Sequence, residues 1–247
     1  MATVKDVHDF WNRNLCGDEY TESQYLSIEY FEESKGIRYR YHYHIPRELG
    51  KLKDIKKNGK ALEIGLGLGV DTQVLCELGY EVTGVDLTEK SVEATSARLA
   101  FYGLPATIMV GNAEALGFDD ETFDIVYSFG VLHHTPDTQK AVNEVYRVLK
   151  KGGVALIMLY HRHALNYLAH LVTFTQFDGR REDPCPVERA YSRQEARQLF
   201  KDYSRTEISV DYLFGTGWGR INYFVPMGIK KLLGKYMGWH LMIKAVK

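Results

Sequence analysis

From Lys60 to Tyr160 the hydrophobic positions fall into short apolar runs separated by stretches of helical length. The runs near 60–65, 80–86, 105–111, 123–129 and 153–160 read as strands. Between them, 70–79, Glu89 to Tyr102 and Thr138 to Leu149 read as helices. Apolar strands alternating with helices of this length imply parallel βαβ units. Their right-handed crossovers place helices on both faces of the sheet. The expected class is therefore α/β, a Rossmann-like, doubly wound sheet.

On either side of this stretch the pattern changes. Residues 1–50 carry Phe10, Trp11, Tyr20, Tyr25, Tyr30, Phe31, Tyr39, Tyr41 and Tyr43, and read as a helical N-terminal cap or lid. The main domain is expected over 51–247, with insertions at about 161–190 and 213–236. The first insertion is polar, contains Pro184 and Pro186, and reads as irregular. Ser192 and Glu195 stand at capping-box spacing and open a helix. A strand near 205–213 follows, then a loop with Gly215, Gly217 and Gly219, then a helix near 226–235 and a last strand at about 239–246. The apolar-basic stretch Met227 to Tyr236 reads as a packed helix, with contact to a membrane surface or a partner as the alternative.

Composition narrows the class. A chain of 247 residues can bury one α/β core and still carry a lid. A net charge of −1 argues against a broad nucleic-acid surface. No run of about 18 apolar residues occurs, so no transmembrane helix is expected. The opening MATVKDVHDFWNRN has no apolar core of signal-peptide type. Cys16, Cys76 and Cys185 are few, odd in number and far apart, and read as reduced thiols. A cytoplasmic protein is expected; its oligomeric state is left open.

Chemistry concentrates at 60–71, KALEIGLGLGVD. An apolar strand ends in a turn of alternating glycines, where the absence of Cβ lets backbone approach a ligand closely. The spacing is acid-x-G-x-G-x-G. A dinucleotide loop, G-x-G-x-x-G, would need its third glycine where Val70 stands. Three further stretches accompany it: VTGVDLT (82–88), GNAEALGFDDETFDIVYSFGVLHHTPD (111–137) and VYRVLKKGG (145–153).

Together with LEIGLGLG (62–69), these stretches resemble the class I S-adenosylmethionine-dependent methyltransferases, most of all the methyltransferase type 11 branch with the ubiquinone- and menaquinone-biosynthesis enzymes. The resemblance covers roughly 55 to 160. It implies a seven-stranded sheet, mostly parallel with an antiparallel last strand. It also implies S-adenosyl-L-methionine as cofactor and S-adenosyl-L-homocysteine as product. The expected reaction moves a methyl group in line to O, N, S or C of a small molecule.

The resemblance implies cofactor contacts at Glu63, Gly65, Gly67, Gly69, Asp86, Leu87, Asn112, Ala113, Glu114, Ser128, Phe129 and His133. Glu63 orders the loop and receives the ammonium. Asp86 accepts from the ribose diol and Leu87 covers the adenine. Asn112 stands where many relatives carry Asp, and its amide oxygen still accepts from the adenine amino group. The structural alternatives are a ligand-free turn, a helix cap at Asp86 and a polar loop at 112–114. Catalytic candidates are His133 and His134 after strand four, and Tyr160 and His161 after strand five. Substrate candidates are Trp11, Arg38, Tyr39, Tyr41 and His163, with a packed amphipathic helix as the alternative for the N-terminal ones. His42/His44 and His161/His163 are spaced for an extended segment. Without evident carboxylate or cysteine partners, no metal is expected.

Three other functions compete. A nicotinamide oxidoreductase needs the other glycine spacing. A macromolecule methyltransferase commonly carries N/D-P-P-Y/F after strand four, which is missing here. A non-catalytic cofactor-binding partner subunit would keep the cofactor residues without turnover.

Overall fold

The computed structural model describes residues 2–179, 181–215, 218 and 224–247. Its centre is a sheet built from β1 (Lys60–Ile64), β2 (Glu81–Asp86), β3 (Ala106–Val110), β4 (Phe123–Phe129), β5 (Leu149–His161), β7 (Arg205–Asp211) and β8 (His240–Val246). The order is β3-β2-β1-β4-β5-β8-β7. The first five strands of that order are parallel, and β8 lies antiparallel to both β5 and β7. A short β6 (Ala190–Tyr191) adds a parallel pair to the far end of β5.

Alternation along the strands divides the core. Leu62, Ile64, Val126 and Ile157 face one side with Ala141, Val142 and Val145 of α6 (Thr138–Val148). Ala61, Ile125, Tyr127 and Leu156 face the other, against Leu75 of α4 (Val70–Glu77). With a side-chain period of two, the central strands β1, β4 and β5 bury both faces, as sheets covered by helices on two sides do, whereas the edge strand β3 buries neither. The third crossover helix is α5 (Glu89–Phe101), capped by Thr88.

The N-terminal segment forms α1 (Val4–Arg13), α2 (Ile28–Tyr41) and α3 (Ile45–Gly50). A capping box of Thr3 and Asp6 starts α1. Arg98, fully buried on α5, ties this layer to the domain. Its guanidinium donates to Leu68 O at 2.6 Å, Phe31 O at 2.7 Å and Gln73 Oε1 at 3.0 Å.

Three expectations need correction. Residues 161–190 are not irregular throughout, since they contain α7 (Leu165–Thr173) and the first residue of β6. Helix α7 has no side-chain cap at Ala164, so its start signal is absent from the sequence. The fifth strand starts at Leu149, where its register with β4 is irregular. The helix expected to pack near 226–235, α9 (Met227–Met237), buries only Gly234. The helix opened by Ser192 is α8 (Arg193–Leu199), and the capping box with Glu195 forms as its spacing indicates. Gly217 and Gly219 lie outside the described residues. Among the described residues no helix is long and apolar enough to cross a membrane.

Candidate active site

The strand order reverses between β1 and β4, and in open α/β sheets such a switch point leaves a crevice beyond the strand ends. Here the crevice is a cleft of about 1140 Å³, the open space at its mouth included. The glycine turn forms its floor. Gly65 has φ +84°, and a Cβ there would stand 2.0 Å from Val131 Cγ2. Gly67 has φ +52° and lies beneath Cys16 of the N-terminal layer. Both positions favour glycine, the first because of crowding as well as backbone conformation.

Asp86 fastens this turn to β2. Its Oδ2 accepts from Leu66 N at 2.7 Å, and its Oδ1 accepts from Thr88 N and Oγ1, both at 2.9 Å. A carboxylate offers about four acceptor positions. Three serve the protein, so capacity for one more remains at the cleft wall.

Glu63 is buried, lines the cleft and leaves Oε2 without a partner. Burial, reinforced by the nearby Asp71 carboxylate, holds its carboxyl well above the usual range. Asp71, by contrast, is fully engaged. It accepts from Arg38 Nη2 at 2.6 Å, Tyr127 OH at 2.9 Å and Tyr39 OH at 3.1 Å. Arg38 also stands 5.3 Å from the Phe129 ring centroid. A cation held by one carboxylate thus sits beside an unpaired one.

Phe129, Gly130, His134, Trp11 and Tyr20 also line the cleft, with Phe129 beside Arg38. The buried His134 ring meets Trp11 edge-on, with centroids 5.0 Å apart. Its Nδ1 is 2.7 Å from Val187 O. A carbonyl only accepts, so the network assigns the proton to Nδ1 and leaves Nε2 with its lone pair. Burial lowers the His134 pKa to about 4. Asp178 Oδ2 lies 3.6 Å from Nε2 and accepts from Tyr160 OH at 2.9 Å. Burial raises the Asp178 carboxyl to about 6. Neither Asp178 nor Val187 was identified from sequence. Both come from the insertion, and no local motif marks them.

The structure gathers Glu63, Gly65, Gly67, Asp86, Leu87, Asn112, Ala113, Phe129, His134, Trp11 and Arg38 along one cleft. The remaining candidates lie off its wall. Gly69 caps α4 against Thr95. Glu114 accepts from Asp137 N, and Ser128 donates to Ile64 O. His133 is fully buried behind His134, its ring 4.0 Å from that of Tyr160, with no partner for either nitrogen. His161 Nδ1 pairs with Gly238 O. Tyr39 is held by Asp71, while Tyr41 and His163 are exposed. His42 and His44 instead join His240 in a buried aromatic cluster, where His240 Nδ1 and His44 Nε2 are 2.9 Å apart. Among the described residues no group suited to hold a metal ion occurs.

The family model for a methyltransferase domain matches residues 62–157, which span the glycine turn, Asp86, the His133-His134 pair and most of β5. Residues 62–157 are thus similar to a methyltransferase domain. Arsenite methyltransferase of Mus musculus is 39% identical over 110 residues, covering 39% of this chain and 29% of that protein. Ubiquinone biosynthesis O-methyltransferase of Psychrobacter arcticus is 26% identical over 168 residues, covering 66% of this chain and 63% of that protein. The chain thus spans about a third to just under two thirds of the length of these curated relatives. A solved S-adenosylmethionine-dependent methyltransferase of Thermotoga maritima shares the fold at a TM-score of 0.60. It is 21% identical, and the match covers 89% of this chain and 98% of that one. The fold is thus one that a protein dependent on S-adenosyl-L-methionine also uses. The unpartnered Glu63 oxygen beside the glycine turn suits the ammonium of that molecule.

Proposed function

We propose that the chain methylates a small molecule at an oxygen or nitrogen that carries a proton, with His134 as general base. The observation that carries this reading is one cleft joining an unpartnered Glu63 oxygen to an imidazole whose tautomer leaves Nε2 unprotonated. S-Adenosyl-L-methionine, when bound, supplies an electrophilic methyl group. Glu63 receives the ammonium, Asp86 accepts from the ribose, and the turn around Gly67 leaves room for the amino-acid portion. Arg38, positioned by Asp71 and Phe129, sets a positive charge near the carboxylate.

At the other end His134 removes the acceptor's proton at Nε2. Asp178 then stabilises the imidazolium, and Tyr160 holds Asp178 in place. The roof formed by Val7 and Trp11 of α1 with Cys16 and Tyr20 excludes water and favours a compact acceptor over a polymer. Calorimetry with S-adenosyl-L-homocysteine on wild type and Asp86→Ala tests the site, and a loss of roughly 100-fold in affinity is expected. Unchanged affinity would refute the placement. Metabolite profiling with and without the protein, seeking products heavier by one CH₂, tests the acceptor class.

A further inference from the structure

Outside the cleft, the least conventional surface lies where β5 ends and β8 begins. Tyr160 pairs with His240 across these strands, so α7, which follows β5, and α9, which precedes β8, rise from one corner. Their roots share a small aromatic core of Ala164, Tyr212 and Trp239, with Tyr160 and Tyr167 packed on it. Helix α9 touches the protein through Gly234, where a Cβ would lie 3.4 Å from Tyr212 N. Its apolar stripe turns outward. Ile229, Leu232, Leu233 and Tyr236 follow the i, i+3, i+4, i+7 rule, yet are 48%, 58%, 41% and 69% exposed. Helix α7 repeats the inversion with exposed Leu168, Leu171 and Val172, and Phe174 after it is 95% exposed.

A solvated helix ordinarily hides such a stripe, and exposed apolar faces of this kind mark interaction surfaces. Charge selects the occupant. From Tyr212 to Lys247 the sequence has no Asp or Glu, whereas Lys230, Lys231 and Lys235 border the α9 stripe. A second copy packed symmetrically on this face would set these lysines against themselves. A bilayer with anionic headgroups accepts both the lysines and the apolar side chains. We propose that the α7/α9 corner docks on an anionic phospholipid membrane. Tyr160 packs at the root of this corner and against His133, so docking sets the acceptor end of the cleft beside the membrane.

The test is flotation of the full chain with vesicles of phosphatidylglycerol and phosphatidylcholine, compared with phosphatidylcholine alone. Binding is expected to the anionic vesicles and to weaken with salt. Leu232→Glu with Leu233→Glu should reduce it more than tenfold. Each of Lys230→Gln, Lys231→Gln and Lys235→Gln should reduce it about fivefold. Lys231, Leu232, Leu233 and Lys235 are exposed and Lys230 is only partly buried, so melting temperature and S-adenosyl-L-homocysteine affinity should stay at wild-type values. Vesicle binding is read without turnover, so its outcome is independent of the proposed reaction. Absence of flotation, equal binding to neutral vesicles, or a concentration-dependent dimer dissolved by Leu233→Glu without vesicle binding would overturn the proposal.

Discussion

At the donor end of the cleft, Glu63, Gly65, Gly67 and Asp86 come from two neighbouring strand ends, and strand pairing together with the bond from Leu66 N to the Asp86 carboxylate fixes their arrangement. At the acceptor end, His134 follows β4, Trp11 comes from α1, and Asp178 and Val187 come from the insertion. The first end is a local construction, in which glycine conformations and one carboxylate shape a turn. The second is a convergence of distant segments whose chemistry exists only after folding. On the proposed reading, the donor end serves many acceptors unchanged, while residues outside the shared strands set what is methylated.

Three perturbations sharpen this contrast. The largest effect is expected from His134→Ala, which should lower kcat roughly 1000-fold with little change in S-adenosyl-L-homocysteine affinity. Single-turnover kinetics with the identified acceptor, alongside calorimetry, measures the two separately. Equal losses in both would erase the division between the ends. Gly67→Val should act at the other end, weakening S-adenosyl-L-homocysteine by about 100-fold, because a β-branched residue resists φ +52°.

The smallest effect concerns acid. His42, His44, His133, His134 and His240 are all held neutral by burial, with His44 and His134 lowered to about 4. The unfolded chain therefore binds protons on these rings before the folded one does. Their contribution to stability is fully present above pH 6.5 and is lost as pH falls toward 4. Each ring contributes a slope of up to about 1.4 kcal/mol per pH unit. Glu63 and Asp178, with raised pKa values, act in the opposite direction and offset part of the loss. Thermal melts between pH 7 and pH 5 should show a falling Tm. A flat profile would mean that these rings are not neutral in the fold.

The sequence carried the sheet well because buried strands with helical crossovers leave a periodic trace, and the glycine turn because its backbone admits few residues. Arg98 left no such trace, since its partners are the carbonyls of Leu68 and Phe31, and a carbonyl has no sequence signature. The same holds for the Nδ1 proton of His134, which is set by Val187 O. Helix α9 shows the converse. Its apolar periodicity was legible, but periodicity gives a face and not the direction in which that face turns.

One consequence follows from the lone oxygen of Glu63. In the free protein burial and the neighbouring Asp71 carboxylate disfavour the anion of this carboxyl. An arriving ammonium favours the anion, so donor binding shifts this carboxyl toward proton release. The heat of donor binding should therefore change with the buffer, differing between phosphate and Tris with their ionisation enthalpies. Identical heats in the two buffers would show that Glu63 is already ionised before the ligand enters.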